Sequence, residues 1–242
     1  MSGRRDEADA AGDLVFGDVE ALQDLGTFVA RAKALDADGG IRLQARGQVL
    51  AAWIQVLPGH GMLGSGLVLG LRVMTLEGDH DVDVTVPLAA VSDRLARRAA
   101  TADVSAILSL PPMTLDAPWS AITPPRAGWV SVGSIADDDL LDAARAGIES
   151  VAQGTPPGAG AAAVASLRAR VWGALLPIAD AEPEERTPTT PGPERSAYAG
   201  LPTGAGLAAY ALGFAAPGER SVVRAHGAWS RVSSRSGEIL TR

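Results

Sequence analysis

The spacing of apolar and polar positions changes several times along this chain of 242 residues. From Val19 to Leu35 the apolar residues Leu22, Leu25, Val29 and Ala32 recur as one face of a helix. Asp36, Asp38, Gly39 and Gly40 end it, glycine adopting helix-terminating conformations without steric cost. The period then shortens. Residues 41–46 alternate strictly, 49–57 and 67–76 are more continuous apolar runs, and 81–86 alternates again. Turns at 47–48 and 77–80 predict an antiparallel meander of four short strands, since parallel pairing would need long crossovers. Pro87 then opens a helix with Leu88, Val91 and Leu95 as its buried stripe.

Residues 104–108 read as one more strand. Pro111, Pro112, Pro118, Pro124 and Pro125 then impose a rigid extended stretch, with Trp119 and Trp129 as apolar anchors. A capping box at Ser134 and Asp137 predicts a helix whose apolar face is Leu141, Ala144, Ile148 and Val151. A second helix, over about 159–176, should turn Val164, Leu167, Val171 and Leu175 inward, and the short link makes the two an antiparallel pair. Residues 177–195 carry five prolines and four glutamates and read as a flexible linker. Beyond it come a short helix at 207–214 and strands at 221–225, 229–233 and 238–241.

The predicted fold is therefore α+β: an N-terminal helix plus an antiparallel β-meander covered by helices, a central helical hairpin, and a short C-terminal antiparallel element. The expected divisions are 15–133 for the sheet with its helices and Pro/Trp segment, 134–176 for the helical pair, 177–195 for the linker and 196–242 for the C-terminal element. That last element also fits as part of the same globule as the main sheet.

Composition narrows the chemistry. With 47% hydrophobic and 20% charged residues the chain can bury a substantial core. It has no cysteine, which removes disulfides, thiol nucleophiles and Cys-based metal sites. The Ala-, Gly- and Arg-rich usage is that of a GC-rich bacterial coding sequence. Residues 1–14 are small and polar and should fray; two early arginines with no apolar run behind them do not make a signal peptide. The uncharged stretches 47–71 and 196–218 are long enough to span a bilayer, but their glycines, prolines and polar residues favour a hairpin and a short helix. The expectation is a soluble cytoplasmic protein with no membrane partner.

Twenty-eight acidic residues against 21 basic ones give a net charge of −7, which disfavours nucleic acid as a partner. The exception is local: residues 220–242 hold five arginines and one glutamate, a charge of +4. Arg224, Arg231 and Arg235 are the candidate basic surface, in a hairpin of the kind a winged helix lays along phosphates. No preceding helix has a basic recognition face to go with it.

Gly59, Gly61 and Gly64 fit the dinucleotide-binding spacing G-x-G-x-x-G. That motif needs a helix to come next, with its N-terminus on the pyrophosphate, whereas the sequence here continues as a strand, so a hairpin loop is expected. Asp79, His80, Asp81 and Asp83 have metal-binding chemistry but alternate with valines, which makes them the wet face of a strand. Asp137, Asp138 and Asp139 suit the first turn of a helix. No metal site, cofactor or catalytic set is assigned.

These features favour a non-catalytic protein with a regulatory, scaffold or assembly role, and a second copy or another protein as its partner. The alternative is a small-molecule-binding domain or enzyme with a pocket between the sheet and the Pro/Trp segment, using His60, Arg72 and Trp119. A further alternative is nucleic-acid binding through the arginine-bearing hairpin.

Overall fold

The computed structural model describes residues 12–61, 64–156, 158–180 and 200–242. The chain divides into two compact units, Met1–Ile54 with Arg72–Ser120 and Gln55–Leu71 with Ala121–Arg242. The mixed α+β class with antiparallel sheets, an N-terminal helix, a helical pair and C-terminal strands is as the sequence predicts.

Unit 1 begins with β1 (Leu14–Val15), which pairs with β4 (Ile107–Leu108) in antiparallel register. Leu14 is fully buried, so the expected fraying stops short of it; residues 1–11 lie outside the described residues. Helix α1 (Val19–Leu35) starts at Asp18, whose carboxylate accepts the Ala21 N–H at 2.7 Å. It buries Leu22, Leu25, Phe28, Val29 and Ala32.

The four predicted strands are two long ones, β2 (Gly40–Leu57) and β3 (Val68–Pro87), hydrogen-bonded neighbours joined by one hairpin loop. The expected turn at 47–48 does not reverse the chain. On β2 the buried side chains before Gly47 are Ile41, Leu43 and Ala45 and those after it are Leu50, Ala52, Ile54 and Leu57, so the inward face changes from odd to even positions between residues 45 and 50. Between the two runs stands Gly47, whose φ of +58° is a left-handed conformation that glycine adopts without strain. Residues 77–80 likewise stay within β3, with the His80 ring nitrogen 2.8 Å from the Glu77 carbonyl oxygen. Helix α2 (Leu88–Ala100) follows Pro87 and packs on α1, burying Leu88 and Val91.

In unit 2 the ends of β2 and β3 nearest the hairpin loop enter a sheet in which they are followed, in order, by β11 (Glu238–Thr241), β10 (Trp229–Ser233), β9 (Arg220–His226), β5 (Val130–Ala136) and β7 (Ala179–Asp180). Strand β5 (Val130–Ala136), which the sequence pattern does not separate from the Pro/Trp stretch, runs directly into α3 (Asp137–Gln153). The predicted capping box is absent. Ala136 is the cap residue, and the Ser134 hydroxyl instead accepts from Arg220 at 2.8 Å. Asp137 does more than favour the helix dipole. It is buried, accepts the Ser221 hydroxyl at 2.6 Å and the Ala216 N–H at 2.9 Å, and ties α3 to the chain beyond it.

Helix α4 (Ala161–Gly173) leads to the short strands β6 (Leu175–Leu176), β7 (Ala179–Asp180) and β8 (Leu201–Pro202). Residues 177–180, where the linker is expected to begin, include β7 paired with β5; 181–195 lie outside the described residues. Helix α5 (Gly204–Leu212) is almost wholly buried and packs on α3. At Gly206 an added Cβ would stand 2.6 Å from the Leu140 carbonyl oxygen, so only glycine permits this approach. Strands β9 (Arg220–His226), β10 (Trp229–Ser233) and β11 (Glu238–Thr241) form the expected C-terminal meander. Strand β11 pairs with Val68–Leu71 of β3.

Candidate cavity in unit 2

Five of the 13 residues of α4 are alanine. The predicted inward face does not form a core. Val164, Leu167 and Val171 are only half-buried, Leu175 is exposed, and Trp172 is the buried side chain of the helix. The indole of Trp172 seats in a notch on α3 at Gly147, where a Cβ would lie 2.3 Å from the ring. Leu167 abuts Gly154 in the same way. Past the C-terminal end of α4, Thr203 donates its hydroxyl to the Val171 carbonyl at 2.6 Å and its N–H to the Ala174 carbonyl at 2.7 Å.

The exposed part of α4 walls a cavity of about 900 Å³. Two rows of residues spaced by four line it, Ala161, Ala165 and Ala169 beside Val164, Arg168 and Trp172. Other lining residues come from the hairpin (Leu57, His60, Val68) and from the ends of the sheet (Ser230, Thr241, Arg242). Arg242 is fixed by its backbone, donating its N–H to Leu67 at 3.0 Å and accepting the Gly66 N–H at 2.6 Å; its guanidinium lies 5.6 Å from the centre of the Trp229 ring.

The hairpin loop has the geometry of a strand connection. His60 and Ser65 exchange backbone hydrogen bonds at 2.8 and 3.0 Å, and Gly61 and Gly64 have φ of +66° and +64°. Strand β3, and no helix, comes next, so the G-x-G-x-x-G spacing here lacks the dipole and N–H groups that hold a pyrophosphate.

The sequence-designated residues go to separate places. His60 lines the cavity, whereas Arg72 and Trp119 do not. In unit 1, Arg72 on β3 forms an ion pair with Asp24 of α1, and Trp119 is buried in a 3-10 turn, Pro118–Ala121. In the C-terminal meander Arg224 of β9 donates to Ser233 at 2.9 Å, Arg231 of β10 pairs with Glu238 at 2.8 Å, and Arg235 in the β10–β11 connection pairs with Glu219 at 3.3 Å. The hydrogen bond to Glu238 raises the pKa of Arg231 further above its ordinary value, so that guanidinium stays charged and engaged. Arg231 also lies 5.8 Å from the centre of the Trp129 ring.

The acidic run on β3 is likewise occupied by arginines. Arg42 grips Asp83 with two hydrogen bonds, 2.7 and 2.8 Å, and Gln44 adds a third at 2.9 Å. Chiefly through the Arg42 hydrogen bond, the Asp83 carboxyl is held below the usual aspartate range. Asp81 pairs with Arg46. Among the described residues no group of three or more His, Asp or Glu side chains could hold a metal ion, and no helix is long and apolar enough to cross a membrane.

Sequence pattern does not reveal the cavity because its signal is a deficit: three alanines at i, i+4 and i+8 on a helix with few large residues. No curated protein and no solved structure matches the chain. Two family models do, both described as domains of unknown function: DUF8010 over residues 9–121 and DUF8185 over residues 124–242. The cavity draws on both matched stretches, the hairpin from the first and every other wall from the second.

Proposed function

We propose that this chain is a non-catalytic regulatory or assembly protein that works by binding, and that unit 2 receives a predominantly apolar small molecule. The observation that carries this is the cavity. Its volume of about 900 Å³ falls in the upper part of the range of small-molecule sites, roughly 300–1,000 Å³. Apolar side chains together with glycine and proline make up most of its walls, with a few polar groups among them, which is the pattern that binds an apolar body and fixes its orientation. One wall, α4, is held to α3 mainly by Trp172 and Leu167, so occupancy can be communicated through a single weakly packed helix.

Thermal-shift titration with a panel of apolar probes tests this directly. Saturable stabilisation of the wild-type protein is expected. The exposed Ala165→Trp substitution should leave the unfolding midpoint of the free protein nearly unchanged while abolishing the shift. Failure of every probe to bind, or binding that Ala165→Trp leaves intact, overturns the reading.

A further inference from the structure

The charged side chains that line the cavity differ in sign from the acidic balance of the chain. The protein carries 28 acidic and 21 basic residues, yet both charged side chains lining the cavity are arginines, Arg168 and Arg242, and none of the lining residues is Asp or Glu. Seven other guanidinium groups, those of Arg42, Arg46, Arg72, Arg98, Arg145, Arg231 and Arg235, form ion pairs with carboxylates. Neither Arg168 nor Arg242 has a carboxylate partner among the described residues. Arg168 lines the cavity from α4 in the row of Val164 and Trp172, and Arg242 lines it from the end of β11, with its backbone fixed by Gly66 and Leu67. A guanidinium offers a planar fork of N–H donors that matches a carboxylate or phosphate, and next to an apolar wall it loses less to water than an ammonium would.

We infer that the ligand is a single-tailed amphiphilic anion. Its apolar body lies along the Ala161, Ala165 and Ala169 row and against Trp172, and its anionic head is held by Arg168 and Arg242. This rests on the apolar-ligand reading above and adds the head group to it. His60, Ser65, Ser230 and Thr241 supply the remaining polar positions around the walls.

Calorimetric titration of the full chain with decanoate, decyl phosphate and decan-1-ol, all below their aggregation concentrations, separates the two claims. The anions should bind at least about tenfold more tightly than the alcohol, the scale of a charge-assisted hydrogen bond. Arg168→Gln with Arg242→Gln should erase that preference while leaving the affinity for decan-1-ol unchanged, and Arg168→Lys with Arg242→Lys should keep most of it. The anion with the higher affinity names the head group. Equal affinity for alcohol and anions, or a preference that survives the glutamine variant, overturns the anionic head and leaves the apolar ligand standing. Absence of binding by all three overturns both.

Discussion

In unit 1, helix α1 sends Leu22, Leu25, Phe28 and Val29 into the core, and the hairpin answers with Ile41, Leu43, Leu50 and Ile54. In unit 2, the most buried helix is α5, made of glycine, alanine, two leucines and a tyrosine, and it packs by bringing backbones together. Large side chains interlock and fill their space. Small ones allow close approach on one side, and where a neighbour cannot follow they leave a gap. Helix α4 shows the second outcome, with one tryptophan seated in α3 and an alanine row facing a cavity. The same contrast holds for charge: the arginines of the unit 1 strands are ion-paired, whereas the cavity keeps two that lack a carboxylate partner among the described residues.

The largest effect is expected from a cut between the two matched stretches. A fragment of residues 124–242 loses Val68–Leu71, leaving the edge of β11 unpaired and the cavity without its hairpin wall. It should aggregate or fail to fold, as seen by size-exclusion chromatography and circular dichroism. A soluble, cooperatively unfolding fragment would show that unit 2 does not need the hairpin.

Equal truncations on two helices should next give unequal losses. Leu25→Ala on α1, at a fully buried position, should cost about 2–5 kcal/mol in denaturant unfolding. Leu167→Ala on half-buried α4 should cost about 1 kcal/mol or less. Comparable losses would mean that α4 is as well packed as α1.

Asp137→Ala removes the acceptor for a buried hydroxyl and a backbone N–H and should cost about 1–3 kcal/mol. Pairing it with Ser221→Ala in a double-mutant cycle should show strong coupling. Additive losses would deny that Asp137 ties α3 to β9.

The smallest expected effect is at Asp83. Its depressed pKa means that the Arg42 pair stabilises the fold above the normal aspartate range and is lost as pH falls through it. Asp83→Asn should therefore cost about 0.2–1 kcal/mol near neutral pH, and the difference from wild type should shrink below about pH 4. A difference independent of pH would assign the loss to packing.

Much of the secondary structure is legible in the sequence because it rests on local pattern. Helix α1 falls on the predicted residues, and β10 and β11 do as well, since three- and four-residue spacing or strict alternation carries over directly into one buried face. The turns expected inside β2 and β3 fail for an instructive reason. Glycine at positive φ serves a chain reversal and a position within a long strand equally well, as at Gly47 and Gly78, and only the partner strand determines which forms. The sequence marks Asp137 only as a dipole residue, since Ser221 lies 84 positions away and nothing local announces it. Of the residues that the sequence nominates for a pocket, His60 alone lines the cavity.

Local pattern in the sequence accounts for α1, for strands β10 and β11, for the absence of thiol chemistry, and for a glycine-rich hairpin loop where spacing alone suggests a nucleotide motif. Tertiary structure decided which faces meet. It placed Arg168 and Arg242 on one cavity from positions 74 residues apart and gave Arg72, Arg231 and Arg235 to carboxylates instead. Periodicity is a property of neighbouring residues, whereas a cavity is the space left among elements that are distant in the chain, and no single segment encodes its volume or its charge.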